Sequence, residues 1–333
     1  MTTLITGAAG FIGYHTSLKL LYNKETVIGI DHIGDYYDIA LKHARLARLK
    51  QFPNFIFYQD DITDNARMQQ IGHHHPDIDY VIHLAAQSGV RYSVEQPFAY
   101  NHHNITGFLS ILELCRHLPQ LKHLLYASSS SVYGASATVP FSVENPVNKP
   151  ISLYAATKIA DEMMAYSYSH LYQIPMSGLR LFTVYGPWGR PDMALYLFAK
   201  AIHEGTPIHL FNHGELKRDF TYIDDIVDGI TSCMTRQHHK DSAGAPHRIY
   251  NLGNHKSETL RDFVTLLEHA MGKKAIITPE PMQAGDMRET FADISESTRD
   301  FGFYPQVSIE EGIPLFTEWF KKYHQEMLVF NAA

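Results

Sequence analysis

The chain has 333 residues, 28 of them basic and 35 acidic, with a formal net charge of −7. That length accommodates one large α/β domain with a smaller appendage and a core that needs no covalent staples, while the charge offers no global attraction to nucleic acid or to an anionic membrane surface. Cys115 and Cys233 stand far apart without CxxC spacing, the pattern of two buried thiols in a reducing cytosol rather than of a disulfide scaffold.

The first residues alternate as a strand instead of forming a charged segment followed by an apolar one, and no later stretch approaches about eighteen apolar residues, so a soluble cytoplasmic protein is expected. From there, β-rich runs at residues 3–6, 26–30, 55–59, 80–84, 123–127, 176–181 and 248–252 alternate with helical stretches. Such a rhythm specifies a parallel sheet, and strands apolar throughout are covered by helices on both faces. The expected fold is α/β, a doubly wound parallel sheet of Rossmann type with a smaller C-terminal substrate-binding domain. The sheet domain is expected over residues 1–182 plus about 225–256 and the smaller one over about 183–224 plus 257–333, because composition turns irregular and rich in proline and glycine after Gly186 and again at 279–285.

The first strand leads through Leu4, Ile5 and Thr6 into Gly7-Ala8-Ala9-Gly10-Phe11-Ile12-Gly13 and then a helix. In this GxxGxxG spacing Gly7 and Gly10 allow a tight turn and a close approach to a pyrophosphate, whose charge is met by free N–H groups at the helix start around Phe11 and Ile12. Gly13 lets helix and strand pack closely. Glycines alone also serve ordinary turns. Here the triad is answered by Asp31 at the end of the second strand, a carboxylate that would accept the adenosine ribose hydroxyls and repel a 2′-phosphate, so NAD is expected rather than NADP. Asp61 and Ile62 after the third strand would frame the adenine, and Leu84, Ala85, Ala86 and Gln87 after the fourth would let the dinucleotide lie against the backbone. For Asp31 and Asp61 a plain cap or turn role stays open.

The triplet His73-His74-His75 precedes a proline in a polar connector, and none of the 21 histidines falls in an HExxH pattern, so no metal site is expected. Tyr154 and Lys158 stand in YxxxK spacing in a stretch that reads as helix over 153–171, which puts both on one face. The run Ala127-Ser128-Ser129-Ser130-Ser131-Val132-Tyr133-Gly134 ends a strand in hydroxyls. Hydride leaves a carbinol carbon only if the hydroxyl proton leaves too, so a base must work well below the usual ~10 of a tyrosine. Lys158 and an oxidised nicotinamide supply the positive charge that lowers it, and Ser129, with Ser130 beside it, would hold the substrate oxygen.

Together TGAAGFIG, Asp31, ASSSSVYG, YAATK and LFTVYGPWGRPDMA resemble the extended short-chain dehydrogenase/reductase family of nucleotide-sugar epimerases and dehydratases, over nearly the whole chain. Within it the chain looks most like the UDP-glucuronate 4-epimerases, through QSGVRYS at 87–93, FTVYGPWGRPDMA at 182–194, FNHG at 211–214 and KRDFTYIDD at 217–225. The resemblance implies a Rossmann domain of six or seven strands, tightly held NAD, and a homodimer built on the helices around 99–115 and 153–171. It also implies that Arg218 pairs with the UDP pyrophosphate, Asp286 holds the uridine ribose, and Arg190 faces the sugar or its carboxylate with Thr183. Arg91, Met193, Phe211 and Gln283 would complete the substrate side. For Phe211 a plain core role stays open, and Gln283 stands where many UDP-galactose-type epimerases carry a second arginine.

Three chemistries in this family begin with oxidation to a 4-keto sugar. Dehydratases place Asp and Glu directly after the hydroxyl residue, and UDP-glucuronate decarboxylases place Glu before VYG; here those positions are Ser130 and Ser131. Without the added acid or base, elimination and decarboxylation lose a proton-transfer helper, which leaves epimerisation at C4, with UDP-glucuronate as the substrate that the resemblance implies. The rivals are a UDP-glucose/UDP-galactose 4-epimerase, a UDP-glucuronate decarboxylase, and a catalytically silent NAD-binding scaffold.

Overall fold

Side chains in the sheet point alternately to its two faces, so a strand covered on both sides must be apolar at consecutive positions. Leu4, Ile28, Val81 and Leu124 join one buried cluster while their neighbours Ile5, Val27, Ile82 and Leu125 join another. The structure, a computed structural model, describes residues 1–135, 138–282 and 287–331, with side chains as far as 325. Its main sheet uses β1 (Thr2–Thr6), β2 (Thr26–Ile30), β3 (Phe55–Tyr58), β4 (Tyr80–His83), β5 (His123–Ser129), β6 (Met176–Leu181) and a last strand, His247–Leu252. Their order across the sheet is last strand, β6, β5, β4, β1, β2, β3, and every pairing is parallel.

Chain direction across the sheet reverses between β1 and β4. A crevice opens at such a switch point, beyond the carboxyl ends of the strands, and the Gly-rich turn after β1 and residues 84–87 after β4 both emerge there. Helix Phe11–Tyr22 packs with helix Ile223–Met234 on one face; helices Asn65–His74 and Gly107–His117 cover the other.

A third apolar cluster lies beyond the sheet. Phe198 of helix Ala194–Glu204, Phe263 of helix Leu260–Met271, and Phe316 and Phe320 of helix Ile309–Asn331 close it around Phe220, each buried ring contributing on the order of 2–3 kcal/mol. Three two-stranded pairings edge this region: Thr183–Tyr185 with Phe220–Tyr222, Pro207–Phe211 with Ile276–Glu280, and Lys217–Arg218 with Glu258–Thr259.

Two elements differ from expectation. β5 continues two residues further than the apolar run, because Ser128 and Ser129 still pair with Arg180 and Leu181 of β6. The stretch expected as helix around 99–115 carries a π-helical turn, Asn101–Thr106, before Gly107–His117.

Candidate active site

One cavity of about 610 Å³ occupies the crevice. Gly7 has φ +71 and Gly10 caps helix Phe11–Tyr22, its N–H donating to the Gly7 carbonyl at 2.9 Å. A Cβ on Gly7 would stand 2.8 Å from the Ala85 nitrogen, and one on Gly13 would overlap the Gly7 carbonyl oxygen. The turn is thus a cradle whose shape excludes side chains, and it lines the cavity together with Phe11 and Ile12. At the tip of β2 Asp31 is buried; its Oδ2 accepts from Ala9 N at 3.0 Å and its Oδ1 from Ile33 N at 2.9 Å. Its carboxylate therefore braces the turn as well as facing the cavity.

Asp61, Ile62, Leu84, Ala85, Ala86 and Gln87 line the same wall. Burial pushes the Asp61 carboxyl up, but hydrogen bonds from the Thr63 N–H and hydroxyl and the charge of nearby His103 outweigh it and hold its pKa below the ordinary value. Gln87 is clamped through its backbone: its N–H donates to Asn104 Oδ1 at 2.8 Å and its carbonyl accepts from Asn104 Nδ2 at 3.1 Å, while the same Nδ2 reaches Thr157 Oγ1 at 3.0 Å. The π-helical turn around Asn104 makes this three-way contact, and no local sequence pattern announced it.

Ser129 ends β5 and a 3-10 turn, Ser130–Tyr133, follows; the Ser129 hydroxyl accepts from Ser131 N at 3.2 Å and donates to Ser131 Oγ at 3.1 Å. Helix Leu153–Tyr172 is started by Ser152, whose side chain accepts from Ala155 N. The cap fixes the first turn, so Tyr154 enters the cavity with its ring 6.0 Å from that of Tyr100. Lys158, one turn on, is 2 % exposed and donates to Asp161 Oδ2 at 3.0 Å. Ser129, Ser130, Tyr154 and Lys158 all border the cavity, a serine, a phenol and an ammonium converging on one volume.

On the opposite side stand Thr183, Arg190, Met193 and Arg218. Arg190 turns its fork onto Asp192, Nε to Oδ1 at 3.0 Å and Nη2 to Oδ2 at 2.5 Å, and the Tyr36 hydroxyl donates to the same Oδ2 at 3.0 Å. Burial, with the Asp192 carboxylate beside it, pushes Tyr36 up to about 12; Asp192, lifted by burial, is brought below the usual range by Arg190 and by these hydrogen bonds. Arg218 Nη1 donates to the Lys217 carbonyl at 2.9 Å. Arg91 and Phe211, expected on the substrate side, face each other instead, guanidinium 5.0 Å from the ring centre, and neither is among the residues lining the cavity. Gln283 and Asp286 lie outside the described residues.

Sequence reasoning also missed Arg45. Fully buried, it donates to the carbonyls of Ala9, Trp188 and Gly189 and so ties the Gly-rich turn to the loop that carries Arg190. As one basic residue on an amphipathic helix it gave no signal.

A sequence profile described as GDP-mannose 4,6 dehydratase matches residues 4–315, and the chain belongs to this family, the epimerase/dehydratase branch of the extended short-chain dehydrogenases/reductases. A probable UDP-glucuronate 4-epimerase from Rhizobium meliloti is 43% identical over 96% of this chain and 97% of its own. UDP-glucuronate 4-epimerase 3 of Arabidopsis thaliana is 42% identical over 97% of this chain and 77% of its own. Among solved structures, the UDP-glucuronic acid 4-epimerase of Bacillus cereus in complex with UDP-glucuronic acid and NAD is similar with a TM-score of 0.88 and 34% identity, covering 97% of this chain and all of that one.

Proposed function

We propose that the protein is an isomerase that interconverts UDP-glucuronate and UDP-galacturonate at C4 with NAD as cofactor. The observation that carries this reading is the meeting, in one cavity, of Tyr154, Lys158 and Ser129 with serines at 130 and 131, where a dehydratase or decarboxylase would need an extra acid or base. The named relatives, above 40% identical along nearly the whole chain, support the same substrate.

The turn at Gly7, Gly10 and Gly13 has the shape to take a pyrophosphate at a helix N-terminus, and Asp31 stands where adenosine ribose hydroxyls would be met. When bound, NAD supplies the acceptor and later the donor of the C4 hydride. Tyr154 takes the 4-hydroxyl proton as it leaves and returns it at the end; the Lys158 ammonium favours the phenolate that does so. Ser129 donates to the sugar oxygen and holds it beside Tyr154. Arg218 pairs with the UDP pyrophosphate, so the nucleotide stays anchored while the sugar turns its other face to the same base. A 4-keto hexuronate is a β-keto acid, and it loses CO₂ when its carboxylate bond aligns with the carbonyl π system. Arg190, oriented by Asp192 and Tyr36, holds the carboxylate out of that alignment together with Thr183.

Residues 1–182 with about 225–256 form the cofactor lobe in this reading and the remainder the sugar-nucleotide lobe. A homodimer through the paired helices fits the exposed Phe98, Leu109, Met163 and Leu171 that these helices present, and the two buried free thiols suit a reducing cytoplasm. None of the described helices is long and apolar enough to cross a membrane. NMR of the protein with UDP-glucuronate and NAD tests the proposal: UDP-galacturonate should accumulate to a fixed ratio from either side. UDP-pentose as the main product would replace the reading with decarboxylation, and turnover of UDP-glucose alone with a neutral-sugar epimerase.

A further inference from the structure

The reactive face of helix Leu153–Tyr172 carries one charged group that the mechanism above leaves idle, Asp161. Tyr154, Lys158 and Asp161 recur at i, i+4 and i+7, one face of the helix. Lys158 and Asp161 are each 2 % exposed and joined at 3.0 Å through Asp161 Oδ2, while Asp161 Oδ1 is buried with no hydrogen-bond partner. A carboxylate needed only to brace the fold would be expected to satisfy both oxygens. This one spends a single oxygen on the ammonium that serves the base.

We propose that Asp161 is a positioning residue for Tyr154: it holds the Lys158 ammonium and offsets part of its field, so that its charge sets the pH at which the phenol ionises. The inference rests on the epimerase reading, in which Tyr154 is the base. Tyr100, its ring 6.0 Å from that of Tyr154, is pushed up by burial and stays neutral, and the other surrounding groups leave this task to Asp161. On its own helix, Glu162 is tied up by Arg180 of β6 at 2.9 and 2.8 Å and by the Ser128 hydroxyl of β5 at 2.6 Å. Tyr126 of β5 is driven well above its ordinary pKa by burial and bonded to His247 of the last strand, itself pushed down to about 4 by burial. His83 of β4, pushed down to about 3 by burial and the charge of Lys158, is neutral in the working range. Burial moves Asp161 up to about 6 against the pull of Lys158.

At an effective dielectric near 20, a unit charge removed from a site about two helical turns away moves an ionisation by about one unit. The test reads residue 154 directly: phenolate absorbance of the NAD-loaded protein across pH, taken as the difference from its Tyr154→Phe counterpart. In Asp161→Asn, whose amide oxygen still accepts from Lys158, the midpoint should fall by about one unit, and the acid limb of kcat should move with it while KM stays within about twofold. A midpoint that stays or rises overturns the proposal. Asp161→Ser, neutral and smaller, gives the same reading with the same expected direction if the amide does not fold. Because this absorbance needs no nucleotide sugar, a parent protein that leaves UDP-glucuronate unchanged would sink the epimerase reading while the midpoint still judges Asp161.

Discussion

Where the cavity wall meets the Gly-rich turn it consists of short backbone runs, each the end of one strand and each recognisable by itself. Where it meets Arg190 and Arg218 it consists of side chains whose settings come from far away: Asp192 and Tyr36 for one guanidinium, the pairing of 217–218 with 258–259 for the strand of the other. Backbone that approaches a dinucleotide tolerates little change of residue, since a Cβ collides at once. A side-chain clamp is held by hydrogen bonds that can be removed one at a time, so it is the half whose specificity is open to grading.

The largest expected effect comes from the group between the halves. Tyr154→Phe should lower kcat by about 10³-fold or more while cofactor binding persists; full turnover in this variant would remove the base from the mechanism. Next is the backbone half. Gly13→Ala drives a methyl into the Gly7 carbonyl and should cost about 3 kcal/mol of stability, read as a fall in the unfolding midpoint together with loss of NAD affinity. An unchanged midpoint would mean that the turn is not the rigid element described.

The side-chain half should respond more mildly and more selectively. Arg190→Ala should raise KM for UDP-glucuronate by about 10- to 100-fold, the value of charge-assisted hydrogen bonds, and release extra UDP-pentose. Normal binding without that product would take the carboxylate away from Arg190.

The smallest effect concerns pH. His83, the buried last residue of β4, bonded to Thr6 Oγ1 at 2.8 Å, is pushed down to about 3 by burial. An unfolded imidazole near 6.5 takes up a proton before the folded one does. Its contribution is therefore whole above about pH 6.5 and lost as pH falls toward 3. Asp219, raised to about 6 by burial, has the opposite sign: its contribution is full below the ordinary carboxyl range and lost as pH rises through about 6. The difference between the parent and His83→Gln isolates the first term, on the order of 1–2 kcal/mol at pH 5. Parallel stability curves for the two would show that the ring is not held neutral.

Legibility in the sequence followed the range of the forces involved. All seven strands of the main sheet begin and end within two residues of the expected bounds, because their apolar runs answer to a local condition, burial on both faces. The turn at Gly7 and the partnership of Tyr154 with Lys158 were legible for the same reason, their spacing being a property of one strand end and one helix. Asn104 was not, since a π-helical turn shifts its register by a residue and only the meeting of 87 with 157 gives that shift a purpose. Neither was the facing of Arg91 and Phe211, which depends on how the loop after β4 meets strand Pro207–Phe211.

From its residues alone the chain determines a doubly wound sheet, a phosphate-ready turn, and a phenol and an ammonium on one helical face, since period, turn geometry and strand burial act over a few residues. Tertiary structure decides what each charge leans on: Arg190 on Asp192 and Tyr36, Arg45 on three carbonyls, Glu162 on Arg180. Such pairings are set by distances across the fold, and a buried charge takes whichever partner packing brings within reach, because leaving it without one costs more than the search for sequence neighbours can recover.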